Sequence, residues 1–189
     1  FKKIKPSFSE TLSPDSDRGL SLGKQLLYLK LKKRFIFNKT KYILTLPQYI
    51  SWIFSGKYSS EISYLGNHTH LWNFKKNSYS SFAKRLKIQN KFPKINSAWK
   101  TLGSYLLDER LKDDKIKVIN GIHDSDASYL LFNRSKFKKF NLISSGTQIV
   151  TMNAFTSSKY LKEGKEMYGG INVFGKTVPT IRFMGGREY

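Results

Sequence analysis

The clearest indication of the architecture of this 189-residue chain comes from one short stretch, Lys117-Val118-Ile119-Asn120-Gly121-Ile122-His123-Asp124-Ser125-Asp126. Its first six residues are largely apolar and β-branched, which predicts a short buried strand. The strand would lead directly into His123 and Asp124, and residues 126–132 are apolar enough for a helix. A carboxylate between a strand and the next helix lies at the sheet edge where α/β proteins bind ligands. The stretch therefore predicts an α/β fold with a candidate site at Asp124.

Spacing alone leaves two interpretations of Asp124 open. A carboxylate held there can accept a proton from a substrate hydroxyl as a general base, and Gly121 would let a ligand approach the backbone closely. The alternative is that Asp124 or Ser125 is the N-cap of the following helix. Asp126 is a second carboxylate nearby, and it would raise the pKa of Asp124 by repulsion if it faced the same site.

Secondary-structure signals divide the chain into a helix-rich part and a strand-rich part. Helices are predicted in the first part, beginning after Ser21 and ending near Arg34, and over 47–55 (with Gly56 as its stop), 78–87 and 97–107, followed by a charged loop at 108–117. Strands are predicted over 140–144, 149–153, 171–174 and 177–181, the last two joined by a tight turn at Gly175-Lys176. This change of character predicts a domain boundary near residues 133–139.

Two further groups of polar residues are candidates for chemistry. The turn Ser144-Ser145-Gly146-Thr147 lies between two apolar β segments, where backbone N–H groups can bind an anion. It lacks the Walker pattern, and an ordinary hairpin turn is the alternative. His68 and His70 alternate as two metal ligands would, but no carboxylate adjoins them in sequence, which favours an exposed or hydrogen-bonded pair without metal.

Composition limits the classes of function. The formal charge is +21, from 34 basic and 13 acidic residues, but 27 of the basic residues are Lys spread along the chain and only seven are Arg. Because Arg is the residue favoured for bidentate contacts to phosphates and bases, this composition favours a solvated surface with no specific nucleic-acid partner. A basic nucleic-acid-binding protein remains the weaker alternative, and either surface would adhere to polyanions in a salt-sensitive way.

The same composition bears on location and completeness. Without cysteine there is no disulfide, no Cys-ligated zinc and no thiol nucleophile. No apolar run is long enough for a membrane span, and no signal peptide begins the chain, so we expect a cytoplasmic protein with no membrane partner. The first Met is Met152. We therefore expect the chain to be an internal part of a longer protein, called the parent protein below.

Five segments, taken in order, resemble the FGGY carbohydrate kinases. They are Leu46-Pro47-Gln48-Tyr49 with Ser55-Gly56; Ser63-Tyr64-Leu65-Gly66-Asn67-His68-Thr69-His70-Leu71-Trp72; Gly121-Ile122-His123-Asp124-Ser125; Ser144-Ser145-Gly146-Thr147; and Phe183-Met184-Gly185-Gly186-Arg187-Glu188-Tyr189. The His-Asp pair and the terminal Gly-Gly-Arg-Glu are most similar to the branch that phosphorylates L-fuculose, L-rhamnulose and related ketoses. The resemblance implies the two-domain, actin-like ATPase (ribonuclease H-like) fold, with 1–134 ending the N-terminal domain and 135–189 beginning the C-terminal domain.

The resemblance also assigns roles to individual residues. Asp124 falls at the family's catalytic base, and Ser145, Gly146 and Thr147 fall on a motif that binds the phosphates of ATP, with Mg²⁺ as the usual partner. His123 and Asp124 would contact the sugar, and Gln25 would line the same pocket.

The family's first phosphate loop and its adenosine motif are both missing from these residues, so we expect the chain alone to be inactive as a kinase. A second possibility is a parent protein that keeps the fold and binds sugar, as a binding or regulatory protein, but has lost phosphoryl transfer.

Overall fold

A computed structural model describes residues 1–16, 19–106, 115–134, 139–146 and 148–185. The helices are α1 (Phe8–Thr11), α2 (Leu22–Lys32), α3 (Arg34–Lys39), α4 (Leu46–Ser55), α5 (Ile62–Leu65), α6 (Ser81–Arg85) and α7 (Asp124–Asn133). The strands are β1 (Trp72–Asn73), β2 (Ser78–Tyr79), β3 (Thr101–Leu106), β4 (Lys115–Ile119), β5 (Leu142–Ser144), β6 (Ile149–Met152), β7 (Met167–Ile171) and β8 (Thr177–Phe183). Within these ranges, no helix combines the length and apolar character that crossing a bilayer requires.

The helical part packs around one apolar core. Leu26 and Leu27 of α2 contact α3, α5 and α6 through a cluster that also contains Phe37, Leu65, Leu71, Phe82, Ala83, Leu86, Ile88 and Phe92. Helix α4 ends as predicted, because Gly56 takes the left-handed conformation (φ 66°) that a side chain disfavours. The first predicted helix is confirmed over most of its length, and Lys33 then separates α2 from the short α3.

The helix predicted over 97–107 is wrong. Residues 101–106 form β3 instead, which pairs antiparallel with β4 in the register Ser104 opposite Lys117 and Tyr105 opposite Ile116. Thr101, Gly103 and Tyr105 are weak helix formers, so pairing with a partner strand outweighs the local helical pattern. The predicted loop over 108–117 lies mostly outside the described residues, although 115–117 belong to β4.

Strand β4 leads into the His123–Asp124 segment as predicted, but it is less buried than expected. Ile116 and Ile119 are each about half exposed, at 51% and 53%, because α4 covers only one face of the β3–β4 hairpin. The buried residue of the segment is Asn120, at 1% exposure. The backbone after the strand is therefore held by polar contacts rather than by the strand's own apolar side chains.

The last part of the chain forms a four-stranded antiparallel sheet in the order β5-β6-β8-β7. Gly175 lies in the turn between β7 and β8 as predicted, with φ 76° and its N–H donating to the Asn172 carbonyl. The strand predicted over 171–174 is wrong, because β7 ends at Ile171 and residues 172–176 form the loop. Helix α7 precedes the predicted domain boundary, yet its Tyr129 packs with Met152 and Val178 of this sheet. Helix α7 is thus the element that connects the helical part to the sheet.

The helical part and the sheet also meet along β7. The Gly169 N–H donates to the Leu12 carbonyl at 2.9 Å, and a Cβ at Gly169 would lie 2.6 Å from the Leu12 side chain. A Cβ at the neighbouring Gly170 would lie 2.2 Å from Asn67 Oδ1. Both glycines are therefore required for this close approach, which leaves a cleft between the two parts.

Candidate active site

Asp124 is the first residue of α7, at the end of the segment that β4 begins. His123 is the N-cap and makes no side-chain capping bond, so neither Asp124 nor Ser125 occupies the N-cap position considered from the sequence. Within the part of the chain that the structure describes, the Asp124 Oδ1 accepts the N–H of the adjacent Ser125, at 2.7 Å, and the Ser125 hydroxyl at 3.4 Å. Its side chain is 92% exposed. The carboxylate is thus available to a ligand.

Helix α4 fixes the backbone just before this carboxylate. The buried Gln48 donates from Nε2 to the Gly121 carbonyl, and the Ser51 hydroxyl donates to the Ile119 carbonyl at 3.1 Å. Gly121 packs so closely on the first turn of α4 that a Cβ there would lie 2.6 Å from Pro47 Cβ and 2.8 Å from its carbonyl oxygen. The glycine that was predicted to let a ligand approach therefore allows the close packing of α4 instead.

Helix α5 fixes the next residues from the other side. The Ser63 hydroxyl accepts the His123 N–H at 3.1 Å and itself donates to Glu61 Oε2, which also accepts the Ser63 N–H at 2.8 Å. Glu61 is buried, and burial raises its pKa to about 7, against the lowering effect of the Ser63 bonds. A carboxyl group that is half protonated near neutral pH therefore lies behind the His123 backbone.

Asp126 does not face the cleft. It is 5% exposed, and its Oδ2 accepts a hydrogen bond from Asn67 Nδ2 at 2.8 Å. The same Asn67 amide donates to the Ser63 carbonyl at 2.7 Å. Burial raises the pKa of Asp126, while the contacts with His123 and Asn67 act in the opposite direction. The second carboxylate of the segment is thus an interior group.

The His123 ring lies between the two carboxylates. Its Nδ1 is 3.4 Å from Asp124 Oδ1 and 3.5 Å from Asp126 Oδ2, distances too long for a well-formed hydrogen bond to either. The ring makes edge contacts with Tyr64 and His68, at 5.6 and 5.5 Å between centroids. Its side chain is only 12% exposed, so its orientation is determined by these neighbours.

Asp124 and His123 open into a cleft of about 480 Å³ between the helical part and the sheet. Its walls come from both sides: Ser16, Leu20, Leu46, Pro47, Tyr64, His68, Ile122 and Ser125 from the helical side, and Gln148, Val150, Tyr168 and Arg182 from the sheet. A volume of this size suits a small polar molecule. The cleft is where the sequence predicts the site.

The side chains that line the cleft around Asp124 include two neutral titratable groups, His68 and Tyr168, and the charged Arg182. Burial, with the nearby charges of His123 and Arg182, lowers the pKa of His68 to about 4, so this ring is neutral at pH 7. Burial also raises the pKa of Tyr168 to about 12, so its hydroxyl keeps its proton. Among the described residues that line the cleft, Arg182 is the one Lys or Arg side chain. It donates to Glu166 at 2.9 Å and to the Ser16 hydroxyl at 3.3 Å.

The second predicted motif lies on the sheet side. Ser145 and Gly146 form an exposed turn after β5, and a Cβ at Gly146 would meet only the Gln148 carbonyl oxygen, at 3.8 Å. Thr147 lies outside the described residues. Because Gln148 and Val150 line the cleft, this open turn is on the same side of the molecule as a ligand bound near Asp124. The binding of ATP phosphates by this turn stays a prediction.

Two other sequence assignments are placed elsewhere. Gln25 is exposed on α2, donates to the Gly19 carbonyl at 3.0 Å and is not among the residues that line the cleft, so its sugar contact stays a prediction. His70 is 1% exposed and neither ring nitrogen has a partner among the described residues, so the exposed or hydrogen-bonded pair is wrong for this residue. Within the described ranges, no three acidic or histidine side chains are grouped as a metal site.

Sequence reasoning missed most of the residues that support the site. Gln48 and Asn67 lie in two of the segments that resemble the FGGY kinases, but their partners are 73 and 59 positions away, and no local pattern predicts those contacts. Tyr168 and Arg182 were also missed, because both lie outside the strands predicted over 171–174 and 177–181. A strand pattern also does not show what the sheet faces.

Comparison with known proteins finds similar carbohydrate kinases. Residues 137–189 match the family described as "Carbohydrate kinase FGGY, C-terminal domain". A carbohydrate kinase from Novosphingobium aromaticivorans superposes with a TM-score of 0.87 and 30% identity over 99% of this chain. A search of curated proteins finds no match.

More distant structures share the fold. A xylulose kinase from Lactobacillus acidophilus gives a TM-score of 0.72 at 18% identity over 95% of this chain, and a gluconate kinase from the same organism gives 0.71 at 19% over 96%. The chain spans 42% of the Novosphingobium protein and 36% of each of the other two. Residues 137–189 therefore match the C-terminal domain of the FGGY carbohydrate kinases, and the chain as a whole has the mixed α/β, actin-like ATPase fold of these sugar kinases.

Proposed function

We propose that the parent protein is a carbohydrate kinase that transfers the γ-phosphoryl group of ATP to a hydroxyl of a ketose, in the manner of the L-fuculose and L-rhamnulose kinase branch. The observation that carries this proposal is an exposed carboxylate, Asp124, fixed at the edge of a cleft between two parts of the chain. The 30% identity with the Novosphingobium carbohydrate kinase supports the same class of reaction.

In the proposed reaction, Asp124 takes the proton of the sugar hydroxyl as that oxygen attacks the γ-phosphorus in line. The new O–P bond forms as the bond to the β-phosphate oxygen breaks, and ADP leaves. His123 and the neutral ring of His68 would orient the sugar, and the Ser145–Gly146 turn would hold phosphate oxygens through its N–H groups. When bound with ATP, Mg²⁺ supplies positive charge to the transferring group. The described residues include no carboxylate cluster that would hold it.

The first experiment measures ADP release by the parent protein with ATP, Mg²⁺ and a panel of ketoses, sugar acids and glycerol. We expect release with a ketose, and in Asp124→Asn a kcat about 10²–10⁴-fold lower with a modest change in KM, because only the base is removed. Glu163→Gln is the matched control. It also neutralises an exposed carboxylate, but this one pairs with Lys5 and does not line the cleft.

Each other outcome is informative. Release with a sugar acid or glycerol and no ketose would refute the proposed substrate class. Turnover that survives in Asp124→Asn would refute the role of Asp124. No release with any sugar, together with a ketose-dependent rise in melting temperature, would assign the protein to the sugar-binding class instead.

A further inference from the structure

One side chain beside the site, that of Asp126, has no role in the proposed phosphoryl transfer. Asp126 is a nearly buried acid in the first turn of α7, and it is oriented by Asn67. An acid at such a position interacts favourably with the helix dipole. That role requires neither burial nor an amide partner from outside the helix, so dipole stabilisation alone does not account for this arrangement.

The Asn67 side chain is itself tightly constrained. Its Nδ2 donates both to Asp126 Oδ2 and to the Ser63 carbonyl, so the two amide hydrogens are used. Its Oδ1 faces Gly170 of β7, where there is no space for a Cβ. With the amide fixed on three sides, the Asp126 carboxylate has one orientation, and its Oδ2 is directed to within 3.5 Å of His123 Nδ1.

The chemistry of these atoms determines which nitrogen of His123 carries hydrogen. Nδ1 lies 3.4 Å from Asp124 Oδ1 and 3.5 Å from Asp126 Oδ2. Neither distance gives a well-formed hydrogen bond, but a carboxylate beside Nδ1 favours a hydrogen on that nitrogen, because an ionised carboxylate can only accept. In a neutral imidazole one nitrogen donates and the other accepts. A hydrogen on Nδ1 therefore leaves Nε2 as an acceptor.

We propose that Asp126, oriented by Asn67, is a positioning residue that keeps the hydrogen of His123 on Nδ1 and so presents Nε2 as a hydrogen-bond acceptor to a sugar hydroxyl. The part concerning the sugar rests on the proposed function, whereas the tautomer of His123 does not. Asp124 is equally close to Nδ1, but its carboxylate is exposed and held only by Ser125. It is free to turn towards a ligand, and Asp126 is not.

The test compares the two carboxylates by nuclear magnetic resonance of the parent protein labelled with ¹⁵N-histidine. The His123 signals are those absent from His123→Gln. We expect the Nδ1–H tautomer in the unmodified protein and in Asp124→Asn, and a shift towards the Nε2–H tautomer in Asp126→Ala. Asp126→Asn, which keeps the shape and one acceptor oxygen, should retain more of the Nδ1–H form than Asp126→Ala.

Kinetics give a second reading of the same variants. A lost hydrogen bond to the sugar should raise its KM about 3–10-fold in Asp126→Ala, with kcat within about 3-fold, and Asp126→Asn should restore part of the loss. An unchanged tautomer in a folded Asp126→Ala, or one that moves only in Asp124→Asn, would overturn the proposal even if stability fell. If the tautomer moves as expected but no sugar supports ADP release, the proposed function fails and the positioning role stands.

Discussion

The two turns that border the cleft are built in opposite ways. The backbone around Asp124 is held by side chains from α4 and α5, and Gly121 beside it has no space for a Cβ. The Ser145–Gly146 turn is exposed, and the nearest atom to a Cβ on Gly146 is 3.8 Å away. A group that must remove one proton needs a fixed direction, whereas backbone N–H groups that bind a phosphate can adjust to it. Rigidity in this cleft is thus concentrated on one side.

The same substitution in each turn gives the largest expected difference. Gly121→Ala should destabilise the protein by about 3 kcal/mol, because the new Cβ meets Pro47 Cβ at 2.6 Å and the Pro47 backbone at 2.8–2.9 Å, and α4 must move. Gly146→Ala should change the free energy of unfolding by less than about 1 kcal/mol, towards greater stability, since the space is open and the unfolded chain loses freedom. Urea midpoints of the parent protein and the two variants measure this.

Activity provides the control for that pair. Gly121→Ala should lower kcat even in molecules that remain folded, because it displaces the backbone before Asp124. Equal stability losses in the two variants would contradict the comparison and indicate that both turns are equally constrained.

Two glutamines extend the comparison with a somewhat smaller effect. Gln48→Ala should cost about 2 kcal/mol, because it leaves the Gly121 carbonyl without its donor in a buried setting. Gln148→Ala, an exposed residue beside the other turn, should change stability by less than about 0.5 kcal/mol. Thermal unfolding of both variants in one buffer would show the difference, and a Gln48→Ala variant as stable as Gln148→Ala would mean that water replaces the amide.

The expected change per pH unit is smaller, and it concerns the slope of stability with pH. Burial raises the pKa of Glu61 from 4.5 to about 7 in the folded state, so between these values the folded protein binds more protons than the unfolded chain. The contribution of Glu61 to stability is therefore fully present below about pH 4.5, falls as the pH rises, and is lost above about pH 7. Glu61→Gln should remove this fall, so the slope of the free energy of unfolding against pH should become more positive by about 1 kcal/mol per pH unit across this window. Urea unfolding at a series of pH values measures the slope.

Asp15 supplies the control for the slope. Hydrogen bonds from Lys24 and Lys5 lower its pKa to about 2, so its contribution is present above about pH 4 and is lost as the pH falls towards 2. Asp15→Asn should therefore shift stability evenly between pH 4.5 and 8 without changing the slope. A slope in Glu61→Gln equal to that of the parent protein would show that Glu61 is ionised throughout this range.

The sequence predicted those parts of the fold that rest on neighbouring residues. Gly56 marks the end of α4, Gly175 marks the turn before β8, and the polar residues after β4 mark the Asp124 site, each through local backbone preferences. It failed at β3, where the decisive partner is a strand across a loop, and at His70, whose burial depends on packing with the Phe1 ring 5.0 Å away. The contacts of Asn67 and Gln48 could not be predicted either, because contacts across many tens of residues leave no local pattern.

The paired glycines of β7 limit how the cleft can change its width. Gly169 lies under Leu12 and Gly170 lies against Asn67, and the residues on either side of the pair, Tyr168 and Ile171, carry large side chains. If the sheet slid by one residue along the helical part, one of these side chains would enter a space that does not admit even a methyl group. Rotation about the glycine pair avoids that collision. We therefore expect any change in the width of the cleft to occur by rotation about the glycine pair and not by sliding of β7 along the helical part.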